Sequence, residues 1–247
     1  MRKIVFELCA ESIDACLVAR EGGASRIELC SALSEGGLTP SHGLVREAVT
    51  RSGLPIHALL RPRGGDFVYT DAEFDVMRED LRHMRQMGIS GIVVGVLQAE
   101  GVVDIERTRE LVMMADGLDV TFNRAFDETA SLKEALEDVI AAGCKRVLTS
   151  GGASDVVNGA EKLARLVEQA AGRIEIAVGG GLRLKNASAV ARATGARHFH
   201  GSIRRMVDSP VRTDGPDVLD DAGSSNHTRF IVDSGDVRTM IENLSNA

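Results

Sequence analysis

Short β-branched or apolar runs alternate with helical stretches along the whole chain, and this alternation constrains the fold more than any other feature. The runs are Ile4–Leu8, Arg26–Cys30, Ile56–Leu60, Gly91–Val96, Asp119–Asn123, Arg146–Thr149, Ile174–Val178 and Arg197–His200, with starts 22 to 35 residues apart. A parallel βα unit needs about that length, because a parallel strand must return by a crossover helix. Helix starts are signalled between the runs. Thr39-Pro40 sets a cap before a first-turn proline. Thr70-Asp71-Ala72-Glu73 and Ser131-Leu132-Lys133-Glu134 match the capping box. Phe74, Met77, Leu81 and Met84 then recur at helical spacing, as do Leu132, Leu136, Val139 and Ile140, which reads as a core face. Gly22-Gly23, Gly88, Gly143 and Gly195 close helices just before the next strand, where glycine accepts the left-handed conformation.

Eight such units in 247 residues predict an α/β protein folded as a single (β/α)8 TIM barrel over residues 1–247. An open doubly wound sheet is the alternative, but the turn after the first strand, Cys9-Ala10-Glu11-Ser12, lacks its glycines. Residues 207–229 are rich in Asp, Ser, Gly and Pro without hydrophobic period. They predict a long loop, as an insertion or a lid, before a last helix near Asp236–Leu244.

Composition excludes several function classes. The chain carries 29 Lys plus Arg against 36 Asp plus Glu, a net charge of −7, which argues against a nucleic-acid partner. No apolar run approaches a membrane span, so no membrane association is expected. Glu7 falls inside what would be the apolar stretch of an export signal. Cys9, Cys16, Cys30 and Cys144 form no C-x-x-C pair and are too sparse for a disulfide scaffold, so a reducing, cytoplasmic setting is expected.

In a barrel of this kind the working face lies at the carboxyl ends of the strands. The first two strands both read apolar-Glu-Leu-Cys, and period two puts Glu7 with Cys9, and Glu28 with Cys30, on one face. A carboxylate in an apolar strand is costly unless paired or ligating. Arg61 is the expected partner for Glu7 or Glu28. Arg124 and His200 end the fifth and eighth strands. Glu7, Glu28, Arg61, Arg124 and His200 are therefore the candidate catalytic set, in a common pocket. A buried ion-pair network that sets barrel register is the competing reading.

A second constellation follows the last two strands. Gly179-Gly180-Gly181 and Gly201-Ser202 stand where many barrels bind phosphate on backbone N–H groups, and Ser202 is expected to open a short basic helix over Ile203–Met206. These residues with Arg63 are the candidate anion-binding group. A Schiff-base mechanism is not expected, since no lysine sits at a strand's carboxyl end, and no dinucleotide fingerprint is present.

Several motifs in order, Phe6-Glu7-Leu8-Cys9, Arg26-Ile27-Glu28-Leu29-Cys30, Glu35-Gly36-Gly37-Leu38-Thr39-Pro40-Ser41, Arg61-Pro62-Arg63-Gly64-Gly65-Asp66-Phe67, Arg124-Ala125-Phe126-Asp127 and His200-Gly201-Ser202, resemble the CutC copper-homeostasis family. The resemblance covers roughly residues 4–206. It implies a (β/α)8 barrel, a cytoplasmic, homodimeric or larger protein, and an association with copper tolerance and Cu(I) binding. Asn123 departs from the family's pattern, which has histidine there, and asparagine does not titrate near neutrality.

Two functions remain open from the residues. Cys9 and Cys30, on neighbouring strands, can approach each other as thiolate ligands for a copper ion. Alternatively the two glutamates act as general base and acid, or hold another divalent cation with His200, while Arg61, Arg63 and Arg124 orient a small anionic or phosphorylated substrate for isomerase, lyase or hydrolase chemistry. A silent scaffold acting through oligomer contacts is a third reading.

Overall fold

A computed structural model describes residues 3–208, 210 and 228–247. Eight parallel strands close into a barrel: β1 (Val5–Ala10), β2 (Arg26–Leu29), β3 (Ile56–Leu59), β4 (Gly91–Val94), β5 (Asp119–Phe122), β6 (Arg146–Thr149), β7 (Glu175–Val178) and β8 (His198–Gly201). The predicted strands are all present, each within two residues at its boundaries. Closure joins β8 to β1, with Glu7 opposite His200 on one side and opposite Arg26 on the other.

Helices α1 (Ile13–Gly22), α2 (His42–Arg51), α3 (Asp71–Gln86), α4 (Ile105–Ala115), α5 (Leu132–Ala142), α6 (Ala160–Ala170), α7 (Ala187–Thr194) and α8 (Ser234–Ser245) surround the barrel. The capping box at Thr70 and Glu73 forms as expected, and Ser131 caps α5. The stripe Phe74, Met77, Leu81 and Met84 is buried, so it is core. Among the described residues no helix is long and apolar enough to cross a membrane.

The segment expected to be irregular over 207–229 differs at both ends. Strand β9 (Arg205–Asp208) pairs antiparallel with β10 (Thr228–Ile231) before α8 begins. The short helix expected after Ser202 is therefore replaced by extended chain. Its hydrogen-bonding partner lies far along the sequence, so no local pattern announces it. Residues 209 and 211–227 of the expected loop lie outside the described residues.

The barrel interior is unusually polar for a packed core. Arg146 is 2% exposed and bonds Thr121 Oγ1 at 3.0 Å and Glu175 Oε2 at 2.5 Å. His57 is also buried, and Gly91 leaves room for it: a Cβ there would lie 2.9 Å from the imidazole. Arg26 and Glu7 are buried in the same interior, opposite each other in the register of β1 and β2.

Candidate functional site

Glu7 is completely buried inside the barrel. Its Oε2 accepts from Arg26 Nε, and its Oε1 stands 2.8 Å from His200 Nδ1. Burial alone would raise the Glu7 carboxyl, but Arg26 and then His200 outweigh it and hold the group well below the usual carboxylate range. The partner expected for Glu7 or Glu28 was Arg61, and here the structure corrects the sequence reading. Arg61 lies two residues beyond β3. Its guanidinium donates to the carbonyls of Glu35 at 2.7 Å, Gly37 at 3.0 Å and Gly65 at 2.6 Å, and it stacks on Phe67. Loop carbonyls capture it before it can reach down the barrel. Arg26 takes its place because strand register sets it level with Glu7. It was legible by the period-two rule that singled out Glu28, two residues further along the same strand.

A mouth cavity of about 290 Å³ is lined by Cys9, Glu28, Arg61, Asn123, Arg124 and His200, with Asp127 and Glu128 at its rim. Four of the five candidate catalytic residues thus share one cavity, and Glu7 sits behind it as support for His200. Glu28 Oε2 has no hydrogen-bond partner and lies 3.9 Å from His200 Nδ1. Burial lifts the Glu28 carboxyl to about 7, against the opposing pull of His200. Burial pulls His200 down, but Glu28 and Glu7 carry it above the ordinary imidazole value. A carboxyl that titrates near neutrality beside a cationic imidazole can give or take a proton at working pH.

Cys9 Sγ lies 3.7 Å from Cys30 Sγ and 3.8 Å from Glu28 Oε1. Hydrogen bonding to Cys30, then burial, push the Cys9 thiol well above its ordinary value. One donor atom each of Cys9, Glu28 and His200 lie within 4.8 Å of one another. These residues, with Cys30, form a compact set of sulfur, nitrogen and oxygen donors at the carboxyl ends of β1, β2 and β8.

Arg124 is part exposed at the rim, bonded to Asp127 at 2.9 Å and to Ser150 at 3.0 Å. Asp127 also accepts from the backbone of Ser150 and Gly152, so it straps the end of β5 to the end of β6. In the sequence Asp127 stands out only as the end of Arg124-Ala125-Phe126-Asp127. Asn123 accepts from Ala125 N at 2.9 Å and caps a 3-10 turn over Arg124–Glu128. This side chain thus acts as a local cap at the cavity wall.

The residues expected to bind an anion differ in their surroundings. Arg63 is outside the cavity lining and is held by Glu73 at 2.6 Å and by Asp66 at 3.1 Å. Gly179 packs on His200 and Leu148, Gly180 on Arg124, and Gly181 against the acidic side chain of Asp155. These glycines allow close packing around the rim. Gly201 ends β8, and Ser202 opens no helix.

The interior histidines predict a pH dependence of stability. Burial holds His57 and His198 down to about 4. The unfolded imidazole takes a proton near pH 6.5, so between about pH 6.5 and 4 the unfolded state binds more protons. Stability is therefore present above 6.5 and is lost as pH falls through this window, on the order of 3 kcal/mol from His57 alone. Glu28 acts in the opposite sense, since its raised carboxyl loses its contribution as pH rises through about 7. Urea unfolding of His57→Gln across pH 4 to 7 should show a shallower loss than the parent chain. An identical slope would contradict a buried neutral His57.

Comparisons with known proteins agree with this architecture. A model of the CutC family matches residues 4–205. A CutC family protein of Chromobacterium violaceum is 45% identical over 244 residues, covering 98% of this chain and 99% of its own. One from Vibrio cholerae is 46% identical over 211 residues, covering 85% and 83%. Among solved structures, the CutC of Streptococcus agalactiae, described as a copper homeostasis protein, superposes with a TM-score of 0.76. It shares 33% identity and covers 81% of this chain and 98% of its own. Matching family model, near-full-length relatives and a shared barrel lead to one conclusion: the chain belongs to the CutC family.

Proposed function

We propose that this protein binds Cu(I) in copper homeostasis, with Cys9 and Cys30 as its thiolate ligands. The observation that carries this reading is the 3.7 Å approach of the two sulfur atoms, Cys9 on the cavity wall and Cys30 fully buried against it. Soft thiolates select Cu(I) over harder cations, and a two-sulfur donor set suits its low coordination number. The donors fit the ion chemically, and His200 supplies an imidazole beside them. Both thiols must lose their protons to ligate, so binding releases protons and strengthens as pH rises. The S. agalactiae relative's association with copper homeostasis supports the same reading. So does a reducing cytoplasm, which we propose as the location because it keeps both cysteines as thiols. We also propose a homodimer or larger assembly. Met206 and Phe230, paired across β9 and β10 and 64% and 51% exposed, offer it an apolar contact.

The test is a Cu(I) titration of the intact protein under reducing conditions against a chromophoric chelator. The parent chain should compete at sub-micromolar free copper. The Cys9→Ser/Cys30→Ser double variant should lose about a hundredfold or more in affinity. Unchanged affinity in the double variant would remove these thiols as ligands.

A second reading has its own support. Glu28 combines an unpaired buried oxygen, a pKa near neutrality and a place in the cavity with Arg124. That is the arrangement of a general acid–base acting on a small anionic substrate. Under this reading Glu7 and Arg26 hold His200, and Arg124 meets the substrate's charge. Glu28→Gln separates the two functions, since it removes the titrating carboxyl and leaves both thiols in place.

A further inference from the structure

Outside the barrel, two histidines from different helices meet at the surface. His42 is the first residue of α2 and follows the Ser41 cap. His83 lies in the last turn of α3. Both side chains are exposed, yet His42 Nδ1 and His83 Nε2 stand 2.7 Å apart. The ring centroids are 4.9 Å apart with planes inclined at 37°. Asp80, one turn before His83 on α3, is half-buried and close enough for the two groups to interact electrostatically.

We propose that His42 and His83 form a chelating site for a borderline divalent cation such as Zn²⁺, Ni²⁺ or Cu²⁺, separate from the mouth cavity. Imidazole nitrogen is a ligand of choice for these ions, whereas Cu(I) belongs with the thiols. Metal–nitrogen bonds of about 2.0–2.1 Å put two ligating nitrogens roughly 3.3 Å apart at a tetrahedral angle. The present spacing of 2.7 Å reaches that by a small rotation of two solvent-exposed rings. In the neutral pair one of the two facing nitrogens carries the shared proton. On binding, that ring changes tautomer and carries its proton on the distal nitrogen, so two lone pairs face the ion and no proton is released. Asp80, three residues before His83, is engaged by Thr39 and adds its charge beside the pair, and water completes the coordination. The net charge of −7 further favours a cation.

Isothermal titration of the full chain with zinc chloride tests the site. His42→Ala and His83→Ala should each weaken binding by about tenfold or more, and Cys9→Ser/Cys30→Ser should leave that component intact. All three substitutions spare the packing of the helices, since the histidines are exposed and serine nearly matches cysteine in size. In the amide NMR spectrum, substoichiometric Ni²⁺ should broaden resonances at the start of α2 and the end of α3 before any others. In the Cys9→Ser/Cys30→Ser background, zinc binding that keeps its affinity through both histidine substitutions would overturn the proposal. So would binding that vanishes with the cysteines, or broadening centred on the barrel mouth.

Discussion

Arg26→Met is expected to lower the free energy of unfolding by about 3–5 kcal/mol. The substitution leaves the carboxylate of Glu7, wholly enclosed by the barrel, with only His200 as its partner. The attraction between Arg26 and Glu7 does not by itself add much stability, because both ions give up their water. Removing one partner is different, since the desolvation cost of the other remains uncompensated. Glu7→Gln combined with Arg26→Met should recover part of the loss, as no net charge then stays behind. Denaturant unfolding of the parent, the single and the double variants measures this directly. A loss below about 1 kcal/mol for Arg26→Met would show that water reaches Glu7 and that the pair is not a closed ionic lock. The same pair holds His200 on the Glu7 side of the cavity. Its loss should therefore also free the imidazole that faces Glu28 and Cys9.

The second large effect is steric. Gly95, just past β4, lies under Asn123: a Cβ at this position would sit 2.0 Å from Asn123 Oδ1 and 2.7 Å from Ala125 Cβ. Gly95→Ala must push the Asn123 side chain off its bond to Ala125 N and strain the 3-10 turn that carries Arg124. Overpacking at such a closed position costs about 1–3 kcal/mol, and the 2.0 Å approach puts this case at the upper end. Adding Asn123→Ala removes the nearer clash and should restore about half of the lost stability, with the Ala125 contact still to be accommodated. If Gly95→Ala unfolds at the parent's denaturant concentration, Asn123 does not pack against β4 as described.

The legibility of the site varies residue by residue. Glu28, Cys9 and Cys30 were found from strand parity alone, because a period of two fixes which side chains enter a barrel. The same parity contains Arg26, whose role became visible only with the sideways register between β1 and β2. Arg61 was misplaced for a physical reason. A guanidinium just beyond a strand end can reach any loop that folds over it, and loops 35–37 and 64–67 supply the carbonyls and the ring that hold it. Asp127 gives no local signal because its bonds to Thr149, Ser150 and Gly152 join segments more than twenty residues apart. The expected helix after Ser202 failed likewise: local composition permits it, but pairing with Thr228–Ile231 decides for strand.

By itself the chain's pattern determined eight alternating βα units, because turn chemistry, helical stripes and strand period are local, and the absence of glycines after the first strand favoured a closed barrel over an open sheet. It also determined which faces carry acids and thiols. Only the tertiary structure decided which charges meet, that Glu7 is support and Glu28 faces the cavity, and that two surface histidines 41 residues apart come within hydrogen-bonding distance. Those outcomes depend on shear between neighbouring strands and on how loops and helices settle against one another. These relations join residues distant in sequence, and no local period encodes them.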